Sequence, residues 1–366
     1  MTTLEDVHEV YKDKLYLEDF DFIDNALATY ITKDMEGEPL WLFPIKPSGF
    51  GASTQLYPFI KLSEQFMDYR ILLLDQATSK AFNSASKDKT SIDLGSMMQN
   101  NYTMILIPDF ASIAAGDDAE ATFAMMRTLY DGYCIRHTGQ ASHVYKNIKV
   151  NTFAVSTPAV RHNIEFATQM GTREFVYNIP KVQKPMGMLD FPTTNKDKEE
   201  LYKVVKSFID SHRDISFEWP TGFDATALKY VAYNTCVWRV EPTTNDKGVL
   251  VDNIEMEYIA RVYKQLQTLV IGLHAMGIDQ TSINKKLLQM EHGAGNMLRR
   301  EIHELLKDEK EGLTITQISN KVNRAVETIM EQMVTLRELG FVMPVVKDDY
   351  AKSLYTSQGV RWIRVK

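Results

Sequence analysis

The residues with the plainest chemical purpose lie between Leu40 and Ile60, in LWLFPIKPSGFGASTQLYPFI. An apolar run, WLFPI, meets a loop holding Gly49 and Gly51, and the hydroxyl pair Ser53 and Thr54 then opens a stretch of helical character. A strand, a glycine-rich turn and a helix start, in that order, can hold phosphate. Glycines let backbone N–H groups curl around the anion, and the helix N-terminus adds its dipole. The strict form of such a loop is G-x-x-x-x-G-K-[ST], in which the lysine neutralises the terminal phosphates and the hydroxyl binds Mg²⁺. Lys46-Pro47-Ser48-Gly49-Phe50-Gly51-Ala52-Ser53 departs from it twice, with Lys46 at the first glycine and Ala52 at the lysine. A glycine-rich turn that binds nothing is the alternative.

Other polar residues follow apolar runs. MILIPDF ends on Asp109, and an aspartate at a strand end holds Mg²⁺ together with the loop hydroxyl. Ser53 and Asp109 are therefore the metal-ligand candidates, for the Mg²⁺ of a nucleoside triphosphate. NTFAVSTPAV puts Ser156 and Thr157 at another strand end, in reach of a γ-phosphate or an attacking water, with Thr157 favoured. Phe110 follows Asp109, so no acid stands there to activate water. Asp75, after YRILLL, is the geometric candidate, a turn or helix cap being its alternative. Asp117, Asp118 and Glu120 read as an acidic helix start.

The elements that must carry these residues alternate. Apolar runs WLFPI (41–45), YRILLLD (69–75), YTMILIPDF (102–110), VNTFAVST (150–157) and FVYNIP (175–180) read as strands. STQLYPFIKLSEQF, DAEATFAMMRTLYDGYCIR and AVRHNIEFATQM between them read as largely helical. Nearly continuous apolar strands separated by helices predict an α/β fold, a doubly wound parallel sheet covered on both faces. Ligands of such sheets bind beyond the carboxyl ends of the strands, where the 46–53 loop, Asp75, Asp109 and Thr157 all fall. Residues 1–38 read as polar helix and turn, and 183–290 as a charged, Pro-rich connector followed by helices. In 291–366 the order is a helix, a short helix capped by Thr314, a longer helix ending at Gly340, and two strands. That is the order of a winged helix-turn-helix.

Net charge is −7, from 41 basic and 48 acidic residues, so no global positive field draws the chain to nucleic acid and any such contact is local. Cys134 and Cys236 are the two cysteines, far apart, which argues against a disulfide framework or a zinc site. The polar N-terminus is unlike a signal peptide and no run is long enough to span a bilayer. The expected setting is the cytoplasm or the nucleoid, without membrane or secretion.

The order of glycine-rich loop, aspartate-ended strand, Ser/Thr-ended strand and "GTREF" arginine resembles the AAA+ family of P-loop ATPases. More narrowly, PDFASIAAGDDAEATFAMMRTLYDGYCIRHTG and FAVSTPAVRHNIEFATQMGTREF look like ATPases of phages, plasmids and archaeal mobile elements. The resemblance implies an AAA+ core at 39–182, a helical lid at 183–290 and a winged helix at 291–366. It implies that Lys46, Pro47, Ser48, Gly49, Phe50, Gly51, Ala52, Ser53 and Thr54 line the phosphates, and that Asp109 is the metal carboxylate and Thr157 the γ-phosphate sensor. Arg173 would be a finger reaching into the neighbouring subunit's site, and Arg261, in EYIARVYKQL, a lid arginine; a surface ion pair and an ordinary exposed helix position are the alternatives. A lysine at 52 would give PSGFGKST. Ala52 is read as an introduced Lys→Ala change that blocks turnover, with a natural alanine in a weakened ATPase as the alternative.

The implied function is an oligomeric ATPase with ATP and Mg²⁺ as cofactors, a ring or filament of identical subunits, acting on DNA in replication initiation, as a helicase or helicase loader, or in mobile-element maintenance, with replication or mobile-element proteins as partners. With Ala52 it would be inactive or weak. DNA contact is expected at ASHVYKNIKV (141–150), as a hairpin with the 150–157 strand presenting His143, Lys146 and Lys149. It is also expected in the winged helix (314–364), through Arg324, Thr328, Lys347 and Arg361, although Glu327, Glu331 and Glu338 make its long helix acidic. A nucleotide-gated scaffold acting through proteins, and a transcription factor using the winged helix alone, are the rival functions.

Overall fold

The computed structural model describes residues 2–17, 19–47, 49–75, 94–99, 101–138, 141–158, 160, 173–179, 193–240, 256–345 and 360–365. The chain divides into two compact units, Met1–Lys229 with Ala260–Gly293, and Tyr230–Ile259 with Ala294–Lys366.

The first unit is built on a five-stranded parallel sheet. Its strands are β1 (Trp41–Ile45), β2 (Ile71–Leu73), β3 (Tyr102–Ile107), β6 (Lys149–Ala154) and β7 (Phe175–Asn178), in the order β2-β3-β6-β1-β7. All residues of β1 and β6 are buried, as strands covered on both faces require. Trp41, Phe43 and Ile45 point with Ile105, Ile107, Val150 and Ala154 into one core, shared with α7 (Phe110–Ala114) and α8 (Ala119–Tyr130). On the opposite face Phe153 meets Phe22 edge-on, with ring centroids 5.4 Å apart. Phe22 belongs to α2 (Asp21–Ile31), and Tyr30 of α2 packs against Phe59 of α4 (Tyr57–Ser63). The chain thus leaves β1 toward one face and β3 toward the other, which opens a crevice at the carboxyl edge.

The N-terminal region differs from the polar helix expected. It forms two helices, α1 (Leu4–Leu15), started by a Thr3/Asp6 capping box, and α2, buried from Phe22 to Ile31. Asn151 of β6 ties α2 to the sheet: its Oδ1 accepts from the Leu40 N–H at 2.9 Å, and its Nδ2 donates to the Thr29 carbonyl at 2.9 Å. The expected helix over DAEATFAMMRTLYDGYCIR stops at Tyr130. Asp131 and Gly132 turn the chain, Gly132 at φ 89°, and YCIRHT becomes β4 (Tyr133–Thr138). β4 pairs antiparallel with β5 (Ala141–Lys146). The predicted hairpin therefore closes on the preceding strand and not on β6, because the turn at Gly132 delivers a partner first. Most of AVRHNIEFATQM, and 180–192 of the connector, lie outside the described residues. α9 (Asn195–Ser211) then packs on α1 and α4.

The second unit contains the end of α10 (Ala225–Arg239), α13 (Met297–Leu305), α14 (Ile315–Val322), α15 (Val326–Glu338) and a three-stranded antiparallel sheet. β8 (Leu313–Thr314), β9 (Val342–Val345) and β10 (Arg361–Arg364) pair in the order β8-β10-β9. The two-residue β8 has no sequence signal of its own. Thr314 caps α14 as expected, accepting from the Gln317 N–H at 3.2 Å, and Gly340 follows α15 at φ 77°. Ile302, Ile318, Ile329, Met333, Leu336 and Trp362 form the core.

Candidate functional site

The site is assembled where β3, β6 and β1 end side by side. Ser156 bridges Ile45 in parallel, its N–H donating to the Pro44 carbonyl at 3.1 Å, and the Lys46 N–H donates to the Ser156 carbonyl at 2.9 Å. On the other flank the Val155 N–H donates to Ile107 at 2.8 Å and the Phe110 N–H to Val155 at 2.7 Å. These bonds extend the strand pairing past the formal ends of the strands. They bring the start of the 46–54 loop, Ser156, Thr157 and Asp109 to one rim.

Within the loop, Gly49 and Gly51 have φ of 78° and 80°, the left-handed region where a side chain is strained. The Phe50 N–H donates to the Pro47 carbonyl at 3.3 Å, and the Gly51 carbonyl accepts from Thr54 and Gln55, each at 3.1 Å, as α3 (Ala52–Gln55) begins. Ser48 lies outside the described residues. Ser53 is exposed, whereas the Ala52 methyl is 2% exposed. A helical Cα–Cβ bond tilts toward the helix N-terminus, so a longer side chain at 52 would start toward the loop.

The loop is braced from below. Gln55 Nε2 donates to the Phe50 carbonyl at 3.3 Å, the Tyr11 hydroxyl donates to the Gln55 carbonyl at 2.7 Å, and Phe50 packs edge-on against Phe22 at 5.3 Å. Tyr11, Phe22 and Gln55 carry no motif that would single them out in the sequence; only the packing of α1 and α2 under the loop reveals them.

Asp109 caps α7, accepting from the Ala111 N–H at 3.2 Å, and remains exposed. Phe110 is fully buried, edge-on to Phe43 at 5.1 Å and stacked on Phe123 at 5.9 Å. The Ser112 hydroxyl lies 2.7 Å from the Asp109 carbonyl and 3.0 Å from the Asp75 carbonyl, linking the ends of β3 and β2. Ser156 is 3% exposed and its hydroxyl faces the Thr157 carbonyl at 3.3 Å, so Thr157, half-buried, is the more available hydroxyl. The exposed Ser53 hydroxyl and Asp109 carboxylate are oxygen donors of the kind that Mg²⁺ takes. Among the described residues no three His, Cys, Asp or Glu side chains could hold a metal by themselves.

Arg173 and Arg261 are not brought to this rim. Phe175 pairs with Leu42, so Arg173 is level with the start of β1, at the amino edge of the sheet. It makes a two-pronged ion pair with Asp131, at 2.7 and 3.2 Å, and its guanidinium lies 6.0 Å from the Tyr130 ring centre. Arg261, on α11 (Ile259–Ala275), lies 5.9 Å from the same ring. Gln265, almost fully buried, joins this edge together, donating to the Arg173 carbonyl at 2.7 Å and accepting from the Trp41 N–H at 3.2 Å.

The expected DNA-contact residues are dispersed. The β4–β5 hairpin exposes Tyr133, Ile135, Val144 and Lys146. Lys149 is in β6, 8% exposed, and burial pulls its ammonium pKa down to about 8. In the second unit Arg324 and Arg361 are exposed, with Arg361 3.6 Å from Glu311, and Glu327, Glu331 and Glu338 line the open face of α15. Lys347 and the side chain of His143 lie outside the described residues. A cavity of about 760 Å³ lies elsewhere, where α1 and α2 meet α12 (Gln280–Gly293); Lys286 on its wall is already paired with Asp21 and, at 2.8 Å, with Asp24. Among the described residues no helix is long and apolar enough to cross a membrane.

No protein-family model matches the chain, and no curated protein is detectably similar to it.

Proposed function

We propose that the chain is a P-loop ATPase of AAA+ type that works on DNA as a homo-oligomer, with a winged helix-turn-helix in its second unit, and that Ala52 leaves this form weak in turnover. The observation that carries it is the convergence at the carboxyl edge: β6 lies between β1 and β3, and its Ser156–Thr157 end separates the glycine loop from Asp109 by a single strand. A phosphate chain seated there meets backbone N–H groups of the loop on one side and the carboxylate on the other. Gly49 and Gly51 let those N–H groups turn inward, Ser53 and Asp109 hold Mg²⁺, and the Thr157 hydroxyl orients the terminal phosphate or the water attacking it. Missing is a cation at 52 to neutralise the terminal phosphate, a contact on the order of 1.5–3 kcal/mol for a hydrogen bond to a charged group.

Arg173, at the opposite edge, can serve only a neighbour's site and must leave Asp131 to do so. That makes assembly and hydrolysis one event. DNA is met by the exposed hairpin and the winged helix. A second reading, a nucleotide-gated scaffold working through proteins, is favoured by the acidic open face of α15. The experiment is nucleotide turnover and mass photometry of Ala52→Lys protein, with and without DNA, beside the same protein carrying Arg173→Ala. DNA-stimulated turnover in an assembly that needs Arg173 supports the ATPase. Tight binding without turnover supports the scaffold, and a monomer blind to ATP removes both.

A further inference from the structure

We infer that Asp75 is the general base of this site, an assignment that rests on the ATPase reading above. Hydrolysis needs a group at the carboxyl edge to take a proton from water. Among the described residues the end of β1 offers Lys46 and Pro47, that of β6 Ser156 and Thr157, and that of β7 Ile179. Phe110, next to Asp109, is core and can neither hold nor be replaced by an acid without burying a charge. Asp109 is committed twice, as the cap of α7 and as the metal ligand, and a metal-bound carboxylate is a poor proton acceptor. Asp117, Asp118 and Glu120 come after α7, around the start of α8 and not at a strand end.

That leaves Asp75, at the end of β2. The residue is exposed, and its carboxylate has no hydrogen bond or ion pair among the described residues. Its backbone, in contrast, is held: the Leu74 N–H donates to the Leu106 carbonyl at 2.9 Å, and the Asp75 carbonyl lies 3.0 Å from the Ser112 hydroxyl. That hydroxyl is also 2.7 Å from the Asp109 carbonyl, so one side chain sets the two acidic residues relative to each other. A carboxylate on a fixed backbone, without a partner among the described residues and tied through Ser112 to the backbone of Asp109 on the neighbouring strand, is placed on the same edge as the metal ligand. In the step, the water oxygen bonds to the γ-phosphorus as Asp75 takes its proton. The bond from γ-phosphorus to the bridging oxygen breaks, its electron pair leaves with ADP, and the proton passes on to the released phosphate.

The test uses full-length Ala52→Lys protein and the same protein carrying Asp75→Asn, Asp75→Glu or Ser112→Ala. Binding of ATP with Mg²⁺, turnover, and the identity of the nucleotide retained after gel filtration are measured. Asp75→Asn is expected to bind within about 3-fold of its parent, to lose on the order of 10²-fold or more in turnover, and to retain ATP where the parent retains ADP. Asp75→Glu should restore part of the turnover, and Ser112→Ala should lower turnover with little change in binding. Turnover of Asp75→Asn equal to its parent, or loss of ATP binding along with turnover, overturns the assignment while the ATPase reading stands. An Ala52→Lys parent that neither binds nor hydrolyses ATP overturns both.

Discussion

The Lys46 N–H donates to the Ser156 carbonyl over 2.9 Å, so the first residue of the glycine loop and the residue before Thr157 are one hydrogen bond apart. Neither end can shift without the other. The glycine loop and the Thr157 hydroxyl are therefore positioned by the same β1–β6 pairing, the one on which the proposed phosphate site rests.

Gly49 sits at φ 78° with nothing within 4 Å of where a Cβ would stand. Gly49→Ala is expected to destabilise by about 1 kcal/mol from backbone strain alone, and Gly49→Asn by less, since Asn enters the left-handed region more readily. Urea denaturation measures both. Equal stability of all three proteins would mean that the loop does not hold this conformation.

Tyr11→Phe removes the donor to the Gln55 carbonyl and nothing else, in a fully buried setting. A loss of about 1–3 kcal/mol in thermal unfolding is expected, together with weaker nucleotide binding. Stability loss with unchanged binding would show that α1 supports the fold but does not brace the loop.

Arg173 and Asp131 are partly exposed, their side chains 18% and 34%. Breaking the pair by Arg173→Ala should change stability by no more than about 1 kcal/mol. Mass photometry with ATP analogue should nevertheless show assembly lost. Assemblies that survive the change would reduce Arg173 to a local ion pair.

His303 is buried with its ring against those of Trp238 and Phe341, each centroid 5.3 Å away, and neither ring nitrogen has a hydrogen-bond partner among the described residues. Burial, then the Arg364 charge, pulls its pKa from 6.5 to about 4. The unfolded chain therefore binds this proton between pH 6.5 and about 4, and the folded one does not. Stability from this group is complete above pH 6.5, falls as pH drops through that window by ~1.4 kcal/mol per unit, and levels below it. His303→Leu should flatten the corresponding part of the stability–pH curve; an unchanged slope would contradict the assignment.

Much of the carboxyl edge was legible in the sequence because it depends on local pattern. Apolar runs buried on both faces mark β1, β3 and β6, and glycine marks the positive-φ turns at 49 and 51. The alternation of strands and helices predicts the α/β class and its parallel sheet. What the sequence hides are contacts made by residues far apart. Gln265 joins the amino edge across more than two hundred positions of sequence separation, and Tyr11 reaches Gln55 from a helix that reads as merely polar. The hairpin partner is hidden for another reason: YCIRHT has apolar character compatible with the end of a helix, and only the Asp131-Gly132 turn redirects it into β4.

The central claim is that the 46–54 loop seats nucleotide phosphates. Isothermal titration calorimetry with ATP and Mg²⁺, on the chain as it stands and on Ala52→Lys, tests it most directly. One charge-assisted contact of 1.5–3 kcal/mol corresponds to tighter binding by about 10- to 150-fold, so weak or marginal heats with Ala52 should become a Mg²⁺-dependent isotherm with Lys at 52. No binding by either protein, with the fold intact, would contradict the claim.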